Sequence, residues 1–503
     1  MSTKLQKEVV SYWRETGKAK SYEKLQENIK VDIAIVGGGI AGTLTAYNLA
    51  KEGKKVALLE ARDLFSGTTG YTTAKLTAQH NLIYDELINR YGQEAAKLYY
   101  RANMEGIATI KELAKENNID CELEEKDAFV FTEKAKHRDA IQKEAKAYEK
   151  LGIEGEFIES LPLNLDIEVA IMMRNQAQFH PVKFLQSMVK LIKQYEGEVF
   201  ENTRVMDIKE EKKGVICKTD SSYTVTAKEV VVATHFPVYE TEDKFYSNNL
   251  STESSYALAI KSNQEFPDGM YINTDLPKRT MRGIFNEKEN YILVGGESHP
   301  TGDGKSSEER YNELVRFAEK HFGDIEVVNH WSSHDYISSD RIPFVGKLHE
   351  DLTHMYTLTG FSKWGLAASV SGAKVIADLI LGRENPYQEL FSPQRNMAAI
   401  KEEGAEEKNP IDQYKDASQA KTYEELGKGE GSIVEMDGKN VGAYRDNEGK
   451  IHLLDTSCTH LGCDVAWNDG DHTWDCPCHG SRFSATGEVV EGPAVEDLKK
   501  INK

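Results

Sequence analysis

VDIAIVGGGIAGTLTAYNLAKEGKKVALLEAR, residues Val31 to Arg62, begins with an apolar run (Ile33, Ala34, Ile35, Val36) that meets three glycines, Gly37, Gly39 and Gly42. The run has the character of a buried parallel strand. The glycines follow the spacing G-x-G-x-x-G. A helical pattern comes next (Leu44, Tyr47, Leu49), stops near Gly53, and gives way to a second apolar strand, Val56 to Leu59, which ends on Glu60. Gly37 suits the tight turn, Gly39 lets the backbone approach a pyrophosphate, and Gly42 lets helix and strand pack closely. The helix N-terminus offers unpaired N–H groups and a positive dipole end to phosphate charge. Gly37, Gly39, Ile40, Ala41 and Gly42 are therefore the candidate pyrophosphate contacts. Glu60, with Arg62 beside it, is placed to accept the hydroxyls of an adenosine ribose, and a carboxylate there argues against a 2′-phosphate.

The surrounding chain is long enough for two or three domains: 503 residues, 39% hydrophobic, net charge −20. That acidity repels nucleic acid and anionic lipid, so neither is an expected partner. No apolar run is long enough to span a bilayer. Charges throughout residues 1–30 argue against an export signal, so a cytoplasmic protein is expected. Of the six cysteines, Cys121 and Cys217 stand alone as buried thiols, and the other four fall between Cys458 and Cys478.

After Glu60, SGTTGYTTAKLTAQH (residues 66–80) is a polar run that suits neither core helix nor core strand; its backbone and hydroxyls can follow a cofactor. Surface helices are predicted over Asn81 to Asn118 and Glu133 to Leu151. Gln176 to Leu185 reads as a strand end with Pro181 opening a helix and His180 in a structural role. KEVVVATHFP, Lys228 to Pro237, is another buried parallel strand, returning beside the first and emerging at Ala233 and Thr234. Residues 245–330 alternate in short segments, as an antiparallel sheet does. Tyr356 to Gly382 gives a strand, a glycine turn and a helix that starts near Trp364 and Gly365 and is stopped by Gly382. Its positive end suits the pyrimidine side of a flavin, where reduction places negative charge.

This ordered set resembles the FAD-dependent amine oxidoreductases of the D-amino-acid oxidase and glycine oxidase type. The resemblance implies an α/β Rossmann-like FAD-binding domain in several chain segments (about 31–99, 175–240 and 331–385). An antiparallel β substrate domain (about 100–174 and 241–330) would stack on it, with residues 1–30 as an N-terminal extension. It also implies Thr68, Thr69, Val205, Gly360, Lys363 and Gly365 as cofactor neighbours. Tyr71 occupies the place where some relatives attach FAD through histidine, so non-covalent FAD is expected. The carboxylate-binding arginine of the amino-acid oxidases has no clear counterpart; Arg282 and Arg341 are the substrate candidates. No catalytic residue is assigned.

Residues 386–424 lose periodicity and read as a linker. Beyond them, alternating short segments predict a small all-β module carrying CTHLGC (Cys458 to Cys463) and CPCHGS (Cys476 to Ser481). On residue types alone, two cysteines and two histidines also suit zinc. The two further cysteines and the flanking strands make residues 425–503 resemble a Rieske domain. That resemblance implies Cys458, His460, Cys476 and His479 as ligands of a 2Fe-2S cluster, and a Cys463–Cys478 disulfide, unusual in a chain that is not exported. Imidazole ligation places such centres at about −150 to +300 mV, against about −400 mV for plant-type ferredoxins. Ser481 should donate to a cluster sulfur and raise the potential, whereas Phe483 stands where high-potential members have tyrosine.

Together the two parts imply oxidation of a small amine or N-substituted amino acid, with electrons passing singly from flavin to cluster and on to an unidentified acceptor. Reversed flow, from a donor through the cluster to the flavin, and a non-catalytic redox sensor or electron-transfer adaptor are the alternatives. A Rieske oxygenase would need a mononuclear iron held by two His and a carboxylate, for which the sequence offers no convincing set.

Overall fold

A computed structural model describes residues 9–18, 20–285, 290–302, 306–397, 422–436 and 438–501. The strand Ile29–Val36 lies at the centre of a sheet of eight strands. It runs parallel to Val56–Leu59 on one side and to Thr224–Val232 on the other. The latter pairs in parallel with Met355–Thr359. Ala34, Ile35, Leu58, Val231 and Val232 are fully buried, as expected of a sheet covered on both faces. The helix Ile40–Lys51 is apolar nearly all round because it is sandwiched between this sheet and its neighbours. The helix Gly365–Ile380 packs beside it, and Gly106 of the long helix Tyr84–Glu116 lets that helix in turn approach Ala367.

A second sheet, of nine strands, is antiparallel except where Met270–Asn273 runs parallel to Glu124–Thr132. Its edge is the strand Ile325–Ser338, paired along its length with Leu250–Ser262. The predicted boundary at residue 330 therefore cuts through a strand of this sheet. The helix Ser307–Phe322 covers one face, capped by the Ser306 hydroxyl, which accepts from Glu309 N at 3.2 Å. The C-terminal part is a three-stranded sheet (Gly431–Met436, Lys439–Arg445, Ile451–Asp455) beside a four-stranded one running from Ala466–Asn468 to Val489–Glu491.

Four expectations change. The N-terminal extension contributes to the core: in the helix Tyr12–Gly17, Trp13 is fully buried and donates Nε1–H to Thr72 O at 2.7 Å. The charges around it had hidden this aromatic anchor. The polar run 66–80 includes a short strand, Lys75–Leu76, with Leu76 fully buried. The helix predicted at the surface from Asn81 buries Ala96, Tyr99, Ala102 and Ile110 and kinks at Gly92. Of the predicted linker, residues 386–397 pack on the flavin side. Tyr387 and Phe391 are buried there, and Arg395 donates to both Asp340 carboxylate oxygens, at 2.6 and 2.7 Å. Residues 398–421 lie outside the described residues.

Candidate active site and iron–sulfur centre

Where the first strand ends, the glycine turn opens into a cavity of about 510 Å³. Gly37, Gly39, Ile40 and Ala41 line one end. The Glu60 carboxylate is fixed there by two amides, Gly38 N at 2.7 Å and Arg62 N at 3.0 Å. Thr69 Oγ1 accepts from Ile40 N at 3.1 Å, so the 66–80 segment folds back over the helix start. Arg62, Thr68, Val205, Ala233, Thr234, Lys363, Trp364, Gly365 and Arg341 also reach the cavity. Gly42 and Gly360 do not line it. A Cβ on Gly42 would stand 2.0 Å from Gly37 O, so that glycine serves the packing of helix on turn.

Arg282 lies outside the cavity lining. It is buried over the Trp13 ring and donates to Ala74 O at 2.7 Å, and burial lowers its pKa to about 10. Arg341 lines the cavity but is paired with Glu86 at 3.0 Å.

Several lining residues carried no signal in the sequence. Lys75 faces the cavity with its ammonium bonded to Thr280 Oγ1, and burial, helped by the Arg282 charge, lowers its pKa to about 7. His80 stacks on Trp364 at 4.9 Å and is held neutral by burial, with a pKa near 3. Glu253, which pairs with Lys363 at 2.7 Å, also lines the cavity, and burial raises the carboxyl of Asp335. Each depends on residues distant in the chain, which no local pattern announces.

The two cysteine–histidine loops are built alike. Gly462 N donates to Cys458 O at 2.8 Å, and Gly480 N donates to Cys476 O at 3.0 Å. Both glycines have positive φ, 80° and 74°, which closes each turn. The loops bring Cys458 and Cys476 within hydrogen-bond reach of each other; that contact lowers the Cys458 thiol, as does a weaker one with Ser481, and together with burial it raises Cys476. The His460 and His479 rings stand perpendicular, 5.1 Å apart. His479 Nδ1 is buried without a hydrogen-bond partner among the described residues. Two thiols, two imidazoles and an orphaned ring nitrogen fit a mixed-ligand iron–sulfur cluster. Ligand atoms of Cys463, Cys476 and Cys478 also lie within 4.8 Å, but Cys463 and Cys478 are joined in a disulfide.

The family model described as "DAO: FAD dependent oxidoreductase" matches residues 32–379. The chain belongs to this family. A Rieske [2Fe-2S] domain model matches residues 418–502. This DAO-family oxidoreductase is 40% identical over 497 residues to YhfW of Bacillus subtilis (strain 168), whose name describes a Rieske 2Fe-2S iron-sulfur protein; the match covers 98% of this chain and 97% of that one. It is 23% identical over 389 residues to gamma-glutamylputrescine oxidoreductase of Escherichia coli (strain K12), covering 74% and 88%. Glycine oxidase from Geobacillus kaustophilus shares its fold, with a TM-score of 0.63 at 20% identity over 73% of this chain and 99% of that one. The cofactors of this oxidoreductase are FAD and a 2Fe-2S cluster, and the cavity lining and the paired loops carry residues that fit them. No described helix of this oxidoreductase is long and apolar enough to cross a membrane.

The strand Ile325–Ser338 separates the two sites. Side chains alternate across a strand, and here Trp331, Ser333, Asp335 and Ile337 line the cavity. Ser332, His334 and Tyr336 face the Rieske domain of the oxidoreductase. Ser332 bonds Asp471, His334 Nε2 lies 3.8 Å from Asp475, and Tyr336 donates to His479 O at 2.8 Å. Phe236, at the end of the KEVVVATHFP segment, lies edge-on to both His460 and His479, at 5.8 Å each. Val490, Glu491 and Gly492 complete the cavity wall from the Rieske side.

Proposed function

We propose that this oxidoreductase oxidises a small amine or N-substituted amino acid in the cavity and passes the electrons through the Rieske cluster to a further acceptor. When bound, FAD supplies two-electron hydride chemistry and the cluster one-electron transfer. The observation that carries the reading is the shared wall: one strand lines the cavity with alternate side chains and seats the cluster loops with the others. The names of the relatives, a glycine oxidase and a gamma-glutamylputrescine oxidoreductase, point to carbon–nitrogen bonds.

The residues of this chain hold and orient the reactants. The amides around Glu60 fix its carboxylate for the ribose, and the helix opening at Gly365 turns its positive end to the cavity. Lys75, whose pKa burial lowers to about 7, is a group on the cavity wall able to hold or release a proton near neutral pH, and burial raises the carboxyl of Asp335 on the same wall. The test is anaerobic mixing of the loaded protein with a panel of amines and N-substituted amino acids. Flavin bleaching followed by the EPR signal of the reduced cluster is the expected result. No bleaching with any of them removes this substrate class.

A further inference from the structure

Tyr336 belongs to the flavin side of the molecule but lies beneath the iron–sulfur loops. It is fully buried, and its hydroxyl donates to the carbonyl of the ligand His479 at 2.8 Å, with Gly492 O 3.3 Å away. Its ring is edge-on to His235 at 4.6 Å and 5.3 Å from Phe236, which itself touches both ligand histidines. Gly480, next to His479, admits this contact: a Cβ there would come within 3.1 Å of the Tyr336 hydroxyl and 2.9 Å of Thr252 Cγ2. Inside the Rieske domain, Ser481 hydrogen-bonds Cys458, but the aromatic ring packed nearby, Phe483, is fully buried and has no hydroxyl to offer.

Reduction of the cluster adds a negative charge in a water-poor setting. A fixed O–H dipole with its positive end toward the ligand loop stabilises that charge, and hydrogen bonds from outside the ligand set are a recognised lever on potential. We propose that Tyr336 is a positioning residue for the iron–sulfur centre: through this hydroxyl the flavin-binding part of the chain orients the His479 backbone and raises the cluster's reduction potential. The assignment goes beyond the proposed function and holds for either direction of electron flow.

The test is an EPR-monitored redox titration of the full-length, iron-loaded chain. Tyr336→Phe keeps the ring and removes only the hydroxyl, so the cluster midpoint should shift to lower potential with flavin content and melting temperature unchanged. A residue that served packing alone would leave the midpoint where it was. Gly480→Ala is the second variant: it keeps the hydroxyl but drives a methyl between it and the loop, and the midpoint should again fall. If the phenylalanine variant fails to load its cluster, the alanine variant decides. A midpoint equal to or above that of the unaltered chain, in any variant that loads, overturns the assignment.

Discussion

Tyr311, on the helix that covers the second sheet, donates its hydroxyl to Asp471 of the Rieske domain at 2.9 Å. Asp471 also accepts from Ser332 and, at 2.7 Å, from Arg482, and its side chain is 4% exposed. Breaking one side of a buried charged pair costs about 3–5 kcal/mol, because the remaining charge is left without its partner. Asp471→Ala should lower stability by that order and loosen the Rieske domain from the flavin part. Chemical denaturation followed by circular dichroism, together with limited proteolysis of the native chain, measures both.

Gly42 is excluded from substitution by backbone rather than side chain, since a Cβ there would stand 2.0 Å from Gly37 O. Gly42→Val should push the helix Ile40–Lys51 away from the turn and abolish FAD binding. The flavin absorbance per polypeptide should fall to background while the iron content remains.

Cys458 and His479 hold their positions through their own loops and through contacts outside the cavity lining. Cys458→Ser should therefore remove the EPR signal of the reduced cluster and leave flavin content near that of the unaltered chain. Loss of both cofactors together would show that the two sites fold as one unit.

Glu491 closes the cavity from the Rieske side, 3.7 Å from His235 Nδ1. Burial alone would raise its carboxyl, but the nearby His235 ring and the charges of His334 and Arg482 lower its pKa to about 2. Its folded pKa lies below the unfolded value of about 4.3, so the stabilisation is present above that pH and is lost as pH falls toward 2. The contribution is on the order of 3 kcal/mol at most. Acid unfolding curves of Glu491→Gln should be flatter over that window than those of the unaltered chain.

Much of this was legible in the residues. The turn at Gly37, Gly39 and Gly42 and the boxes at Cys458 and Cys476 are local patterns whose spacing is their function, and the return of Thr224–Val232 to the first sheet followed from its continuous apolar run. The contacts between the two redox sites were not legible. In HWSSHDYIS, residues 330–338, both faces carry polar side chains, so the alternation that separates cavity from Rieske domain leaves no hydrophobic trace. Arg282 stood as a substrate candidate because the carboxylate-binding arginine of the amino-acid oxidases had no clear counterpart; the Trp13 ring it covers lies in the N-terminal extension, far from it in the chain. Lys75 sat in a polar run that gave no sign of the sheet it joins.

The strand Ile325–Ser338 also constrains how this protein can change. A one-residue slip in its pairing from Trp331 onward would invert its faces, turning Tyr336 toward the organic cofactor and Asp335 toward the metal. A single slip of register would thus disturb both redox halves at once.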